Sequence, residues 1–375
     1  MSKLRFPFMA VMGQEELSLA IILNLVDPHI GGVLIRGTKG TGKSTAVYGL
    51  PQITPQIKVH PSCAYNCHPD EPATWCAFCR GEASHPVLEK DVEVVNLPMN
   101  TAEENLFGRI DVERLLKSGE KAFIPGLIAK AHRQVLYIDE VNLMPDHITD
   151  SLLDVVASGV NIVEREGFSV EHPARFLLIG TMNSEEGELR PQILDRFPLS
   201  VTINTNSNPD DREEIIRRNL AFEADPAGFV ESFADVSSLM KCSIEEARKM
   251  LPQTTISQDL VKKILAFCIQ NSIDGHRSEI VIVKAARAYA ALEQKQQVEL
   301  KHIKLAMKLT LLHRTRDGGL KKPVTAAELE NWFNGIKEES EPEQEFSLQY
   351  NPENLSLLKG GYVNPSKKSE KASLS

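Results

Sequence analysis

No stretch of this 375-residue chain is apolar enough to span a membrane; the longest uncharged apolar run, Leu17–Val26, is about half the length required. The opening Met1–Pro7 lacks the apolar core of a secretory signal and is too short for a transit peptide. The expected setting is therefore the cytoplasm, or an organelle stroma for a mature processed form. An excess of basic charge is also missing. The formal charge of -9 argues against sequence-independent nucleic-acid binding, leaving only a local basic patch to escape that average. Repeats at solenoid periods are absent. Cysteines number six, and in a cytosolic chain they are expected as thiols or metal ligands rather than disulfides. What remains, 42% apolar and 25% charged, is an ordinary globular composition on a chain too long for one hydrophobic core.

From Val11 to about Asn204, apolar runs alternate with helix-like stretches, the pattern of a parallel α/β sheet. The strand candidates are Val33–Ile35, Val92–Leu97, Val135–Ile138, Phe176–Gly180 and Val201–Ile203. Two alternating segments between Ser158 and His172, about a turn at Gly167, predict an inserted β-hairpin. After Asn208 strand formers become scarce. Asp211–Ala221, Ile244–Leu251, Leu260–Ser272, Ile280–Glu293 and Leu300–Thr310 carry helical spacing instead, with Leu260, Ile264, Phe267 and Cys268 on one apolar face. The expected organisation is an α/β nucleotide-binding domain over 1–207 with a cysteine-rich insert at 60–85, a helical domain over 208–320, and a largely disordered tail over 321–375. The acidic and Lys/Ser-rich composition from Lys337 onward leaves that tail little to bury.

Gly37-Thr38-Lys39-Gly40-Thr41-Gly42-Lys43-Ser44 is a phosphate-binding loop, G-x-x-x-x-G-K-[ST], set between the strand Val33–Ile35 and a helix start at Thr45. Its glycines let backbone N–H groups close around the phosphates of a nucleoside triphosphate at a helix N-terminus. Lys43 supplies a point charge to the terminal phosphates, and the Ser44 hydroxyl ligates Mg²⁺. Some 95 residues later, Val135-Leu136-Tyr137-Ile138-Asp139-Glu140 is an apolar strand ending in two carboxylates. Asp139 is expected to hold the Mg²⁺ and Glu140 to act as general base on the attacking water. Leu177–Met182 ends in Asn183, whose amide either reaches the terminal phosphate and the lytic water or supports the next turn by an Asx bond. Arg196, thirteen residues beyond Asn183, fits either a charge-stabilising arginine presented to a neighbouring subunit or a surface Asp–Arg pair.

This order of Walker A, Walker B, sensor Asn and Arg190-Pro-Gln-Ile-Leu-Asp-Arg-Phe197 resembles the AAA+ ATPases. More finely, the chain is similar to the ATPase subunit I family of magnesium chelatase, from Phe6–Gln14 to about Arg316. The specific segments are Gly119–Ala131, Tyr137–Leu143, Glu171–Arg175 and Glu185–Ser200. The resemblance implies a P-loop parallel-sheet core with inserted hairpins, followed by a separate all-α lid. It makes Asn183 sensor 1, Arg196 the arginine finger and Arg277 the sensor 2 arginine, with Arg287 of the same helix a rival. The segment 105–126 would be an insert within the helix after the second strand. The family's ATP- and Mg²⁺-dependent motor forms a hexameric ring. It works with a larger ATPase-like subunit and a separate porphyrin-binding catalytic subunit to insert Mg²⁺ into protoporphyrin IX in (bacterio)chlorophyll synthesis. No membrane insertion and no nucleic-acid partner are expected.

Cys63, Cys67, Cys76 and Cys79 form C-x₃-C-x₈-C-x₂-C in a proline-containing loop, spacing that suits a closed tetrahedral Zn²⁺ site. An iron–sulfur cluster or metal-free thiols are the alternatives, and His60, His68 and His85 are spare ligands. Many chelatase subunits lack a full set here, so a structural rather than catalytic site is expected. Cys242 and Cys268 stand alone as packing residues.

Two other functions are weighed on this core. A transcription activator would carry a Gly-Ala-Phe-Thr-Gly-Ala loop and a DNA-binding domain, and the sequence has neither. A chaperone-like relative would bring a metal-binding domain with D-x-S-x-S, which is also absent. A motor for a cobalt chelatase of cobamide synthesis could be nearly identical to one for magnesium.

Overall fold

The computed structural model describes residues 4–118, 122–165, 168–187, 189–204 and 207–339. Its centre is a five-stranded parallel sheet of β1 (Gly32–Gly37), β2 (Val94–Leu97), β3 (Val135–Ile138), β4 (Leu177–Met182) and β5 (Leu199–Ile203), in the order β5-β1-β4-β3-β2. The central strands are buried along their length, as expected of a parallel sheet covered on both faces. Strand alternation then sorts the core. Val33, Ile35, Tyr137 and Ile179 face one apolar cluster, whereas Leu34, Leu136, Ile138 and Leu178 face the other. The second face is closed by α3 (Asp146–Ser158), which ends at Gly159 in the left-handed conformation.

The first face is covered by α1 (Glu15–Val26), ten of whose twelve residues are buried, a helix apolar nearly all round. The reason lies outside the α/β region. Past residue 208 the chain forms α4 (Pro209–Ala224), α5 (Ala234–Met250), α6 (Gln258–Gln270), α7 (Arg277–Leu292) and α8 (Leu300–Leu311). Both α5 and α7 pack on the outer side of α1. These helices contribute no strand to the sheet, but they share its first apolar cluster through Ile282, Ala285 and Ala286. Polar contacts fix the junction: Arg248 Nε donates to the Leu25 carbonyl at 2.8 Å and Lys284 Nζ to the His29 carbonyl at 2.9 Å.

The inserted hairpin is present as Val160–Arg165 paired antiparallel with Phe168–Pro173, and its Gly167 turn lies outside the described residues. The insert at 105–126 contains a short antiparallel pair, Gly108–Ile110 with Phe123–Pro125, flanking a helix at Val112–Ser118. One expectation needs correcting. Residues 321–375 are not disordered from their start, because Ala326–Glu339 forms α9. Leu329, Phe333 and Ile336 recur at helical spacing and are buried, and Trp332 meets Phe267 of α6 edge-on at 4.9 Å. Residues 340–375 lie outside the described residues.

Candidate active site: the nucleotide pocket

The phosphate loop runs from the C-terminal edge of β1 into α2 (Lys43–Gly49). Gly42 has φ +78°, left-handed backbone that favours glycine, and a Cβ there would also press on Gln14 Nε2 at 3.3 Å. Gln14 itself donates to the Thr41 carbonyl and braces the loop. Lys43 Nζ is held by the carbonyls of Gly37 and Thr38, the latter at 2.9 Å. Partial burial lowers its pKa, which the carboxylates of Asp139, Glu140 and Glu186 oppose. The cation is thus parked on backbone oxygens that an anionic phosphate can replace.

At the end of β3 the side chains form a chain of hydrogen bonds. Ser44 Oγ lies 2.8 Å from the Tyr137 hydroxyl, which donates to Asp139 Oδ1 at 2.9 Å. Thr181, from the adjacent end of β4, donates to the same oxygen at 2.6 Å. Burial holds the Tyr137 phenol well above its usual pKa, so it stays a donor. Ser44 and Asp139 therefore offer hard oxygen ligands on either side of one hydroxyl, a donor set suited to Mg²⁺. Glu140 follows in the left-handed region at φ +54°, an unusual backbone for a non-glycine residue, and its N–H donates to Thr181 Oγ1 at 3.0 Å. Its carboxylate pairs with Lys39 of the phosphate loop at 3.3 Å, and Lys39 also bridges to Glu186. Hydrogen bonds from Lys39 to Glu186 and Glu140 raise the lysine's pKa.

Asn183 is buried and lines the same cavity as the phosphate loop, Asp139 and Glu140. Its Oδ1 accepts the Glu185 N–H at 3.3 Å, so it also makes the local Asx bond. The cavity measures about 780 Å³, within the range of small-molecule sites. Beyond the phosphate loop its walls are Val11, Met12, Ile215 and Ile216, with Arg212 and Asn219 from α4.

Two predicted arginines are not in this cavity. Arg196 projects to α3, where its guanidinium donates to Asp154 Oδ1 at 2.9 Å and to the Asp150 carbonyl at 3.2 Å. Arg277 sits exposed at the first position of α7. Its rival Arg287 spends its head group on the carbonyls of Thr254 (2.8 Å) and Leu251 (3.0 Å). The turn that carries Arg196 is tied to the helical region: Thr315 donates to Asp195 Oδ1 and Oδ2 at 2.9 and 2.6 Å, and Arg314 to the Asp195 carbonyl at 2.6 Å.

The four cysteines are buried and mutually close, all ligand atoms lying within 4.8 Å of one another. His60, His68 and His85 are not part of the set; the first two accept from nearby backbone N–H groups and His85 stacks on Trp75. Cys268 is buried, as expected of a packing residue, but Cys242 is exposed.

Sequence reasoning assigned no role to Tyr137, Thr181, Gln14 or Glu186. Tyr137 read as core, yet it lies two residues before Asp139, and strand periodicity puts both side chains on one face.

Comparison with known proteins agrees with the geometry. A model of the AAA domain (dynein-related subfamily) matches residues 82–197, and one of the AAA lid domain matches 262–332. The magnesium-chelatase subunit ChlI homolog of Methanocaldococcus jannaschii is 43% identical, over 89% of this chain and 92% of the relative. Magnesium-chelatase subunit ChlI of Nostoc sp. is 42% identical, over 88% and 89%. Among solved structures, the BchI–BchD complex of magnesium chelatase from single-particle cryo-EM contains a chain matching at TM-score 0.51 and 41% identity, over 88% of this chain and 99% of that one. Among the described residues no helix is long and apolar enough to cross a membrane. With its AAA ATPase core, its lid and these relatives, the chain belongs to the ATPase subunit I family of magnesium chelatase, whose cofactors are ATP and Mg²⁺.

Proposed function

We propose that this chain is the motor subunit that hydrolyses ATP to drive Mg²⁺ into protoporphyrin IX, acting in a hexameric ring beside a larger ATPase-like subunit and a separate catalytic subunit. What carries this conclusion is the convergence of Lys43, Ser44, Asp139, Glu140 and Asn183 on one cavity, while Arg196 is directed away from it. A site complete except for its arginine is a site that a second copy completes.

In that site Gly37–Thr45 cradle the phosphates, and Ser44 and Asp139 would hold the Mg²⁺, which would supply neutralisation of the phosphate charge. Glu140 leaves Lys39 and takes a proton from water as the water oxygen bonds to the γ-phosphorus. The bond from that phosphorus to the β–γ bridging oxygen breaks, and ADP leaves with the electron pair. Asn183 orients the water, and Arg196 of the neighbouring copy stabilises the charge on the transferring group. Arg277, being outside its own chain's cavity, is assigned as sensor 2 at an adjoining copy. Arg287, committed to two carbonyls, is set aside for that role. The cysteine set is assigned one structural Zn²⁺.

The isolated chain tests the site. Lys43→Ala should abolish ATP binding, whereas Glu140→Gln should bind ATP with near-wild-type affinity and lose turnover by roughly 10²–10⁴-fold. Wild-type turnover in Glu140→Gln refutes the assignment.

A further inference from the structure

The cysteine-rich excursion has almost no apolar core of its own. Among the described residues, the hydrophobic side chains packed on Cys63, Cys67, Cys76 and Cys79 are Tyr65 and Trp75, and the elements are a three-residue strand pair, a 3-10 turn at Pro72–Thr74 and a five-residue helix. Nevertheless the four thiols are 8%, 0%, 2% and 1% exposed. Segments this small fold on a metal or a disulfide rather than on hydrophobic burial. The spacing of the sulfurs chooses between them. Cys63 and Cys76 lie 3.7 Å apart, far beyond a disulfide bond of about 2.05 Å. Four thiolates about 2.3 Å from one central Zn²⁺ stand about 3.8 Å from each other. Two backbone amides already aim at sulfur: Tyr65 N–H donates to Cys63 Sγ and Cys76 N–H to Cys67 Sγ, each at 3.3 Å. Such amides favour the thiolate form and set ligand orientation.

The cage is joined to the rest of the molecule through Tyr65 and Asn66, two of the three residues between its first ligands. Tyr65 lies against the cage on one side and against His172 on the other, with ring centroids 4.8 Å apart. His172 is buried in the β-hairpin, and its Nε2 is 2.9 Å from Asn161 Nδ2, which donates to the Phe107 carbonyl at 2.8 Å. The hairpin and the 105–126 insert thus meet the cysteine loop at one histidine. Asn66 Nδ2 donates to the carbonyls of Lys130 and His132 at 3.1 and 3.2 Å, just before β3 begins. His132 Nδ1 accepts from Arg175 N–H at 2.9 Å, just before β4.

We propose that the four thiolates hold a single Zn²⁺ and that this ion, through Tyr65, fixes the hairpin Val160–Pro173 and the 105–126 insert against the core. This rests on the zinc assignment of the cysteine set and not on the ATPase reading. None of these residues is among those lining the nucleotide cavity, so the metal governs the placement of the inserted segments and leaves nucleotide binding alone.

The test uses the full chain, purified without added metal. Elemental analysis should give about one zinc per chain, and a thiol-modifying mercurial should release it. Hydrogen exchange of peptides covering 160–173 should accelerate at least tenfold after metal removal, while peptides covering 37–49 stay unchanged. Because a cysteine variant could fail to fold, Tyr65→Ala provides the second arm: it should keep its zinc, bind ATP normally and show the same faster exchange in the hairpin. Four freely titratable thiols with no metal, or iron in place of zinc, overturn the site. Stoichiometric zinc with unchanged hairpin exchange, both after metal removal and in Tyr65→Ala, overturns the anchoring role and leaves the site standing. Loss of ATP turnover with zinc and hairpin intact would strike the ATPase reading instead.

Discussion

Replacing Arg196 by Ala separates what the side chain does for its own fold from what it does for a neighbour. Within the chain its guanidinium is about a third exposed and bonds Asp154, itself 69% exposed, at 2.9 Å, with Asp150 at 3.3 Å. Exposed pairs of this kind contribute about 0–1 kcal/mol, so the melting temperature should fall by no more than about 2–4 °C. An arginine finger in trans is worth roughly 10³–10⁵ in kcat, about 4–7 kcal/mol of transition-state stabilisation. Arg196→Ala should therefore bind ATP, assemble, and lose nearly all turnover. Mixing it with Lys43→Ala provides the positive control. In a random one-to-one ring, about a quarter of interfaces pair an intact phosphate loop with an intact finger, and turnover should recover towards that fraction. The assay is phosphate release across mixing ratios, with ring assembly followed by sedimentation. Assembled mixtures that recover nothing at any ratio refute the shared site, as does an Arg196→Ala chain with wild-type turnover.

Tyr137→Phe removes the hydroxyl between Ser44 and Asp139. The Mg²⁺ concentration for half-maximal ATPase should rise about 10–100-fold, as for other groups that orient metal ligands; an unchanged Mg²⁺ dependence contradicts that role. Stability should also fall in mild acid. Burial depresses the pKa values of both His132 and His313 to about 3, below the ordinary histidine value of 6.5. Between pH 6.5 and 3 the unfolded chain therefore binds protons that the folded chain refuses, and each histidine costs at most about 1.4 kcal/mol per pH unit as pH falls. Urea midpoints that stay flat from pH 6.5 to 5 would remove this account.

The sheet, and which residues gather at the candidate site, could be read from the sequence because their signals are local. Short apolar runs, the glycines of 37–42 and the carboxylates after Ile138 each act within a few residues. Tyr137 was hidden because an aromatic side chain in an apolar strand looks like packing, and its hydroxyl gains meaning only with Ser44 from another element beside it. The helical spacing of α5 and α7 was visible, but their packing on α1 depends on contacts more than two hundred residues apart, as between Arg248 and Leu25. Helix α9 carried its own periodic Leu329, Phe333 and Ile336 and was obscured by the polar composition that follows. Cysteine spacing indicated a metal cage; its link to the hairpin through Tyr65 and His172 has no counterpart in any local pattern.

The most direct test of the central claim combines this chain, the larger ATPase-like subunit and the catalytic subunit with ATP, Mg²⁺ and protoporphyrin IX, following the fluorescence of the metallated product. Product should form with wild-type chain, fail with Glu140→Gln, and require all three proteins. Insertion of Co²⁺ into a corrin-type precursor, with none of Mg²⁺, would keep the motor and replace its metal. No metallation by either route, from rings that assemble and turn over ATP, would contradict the chelatase function itself.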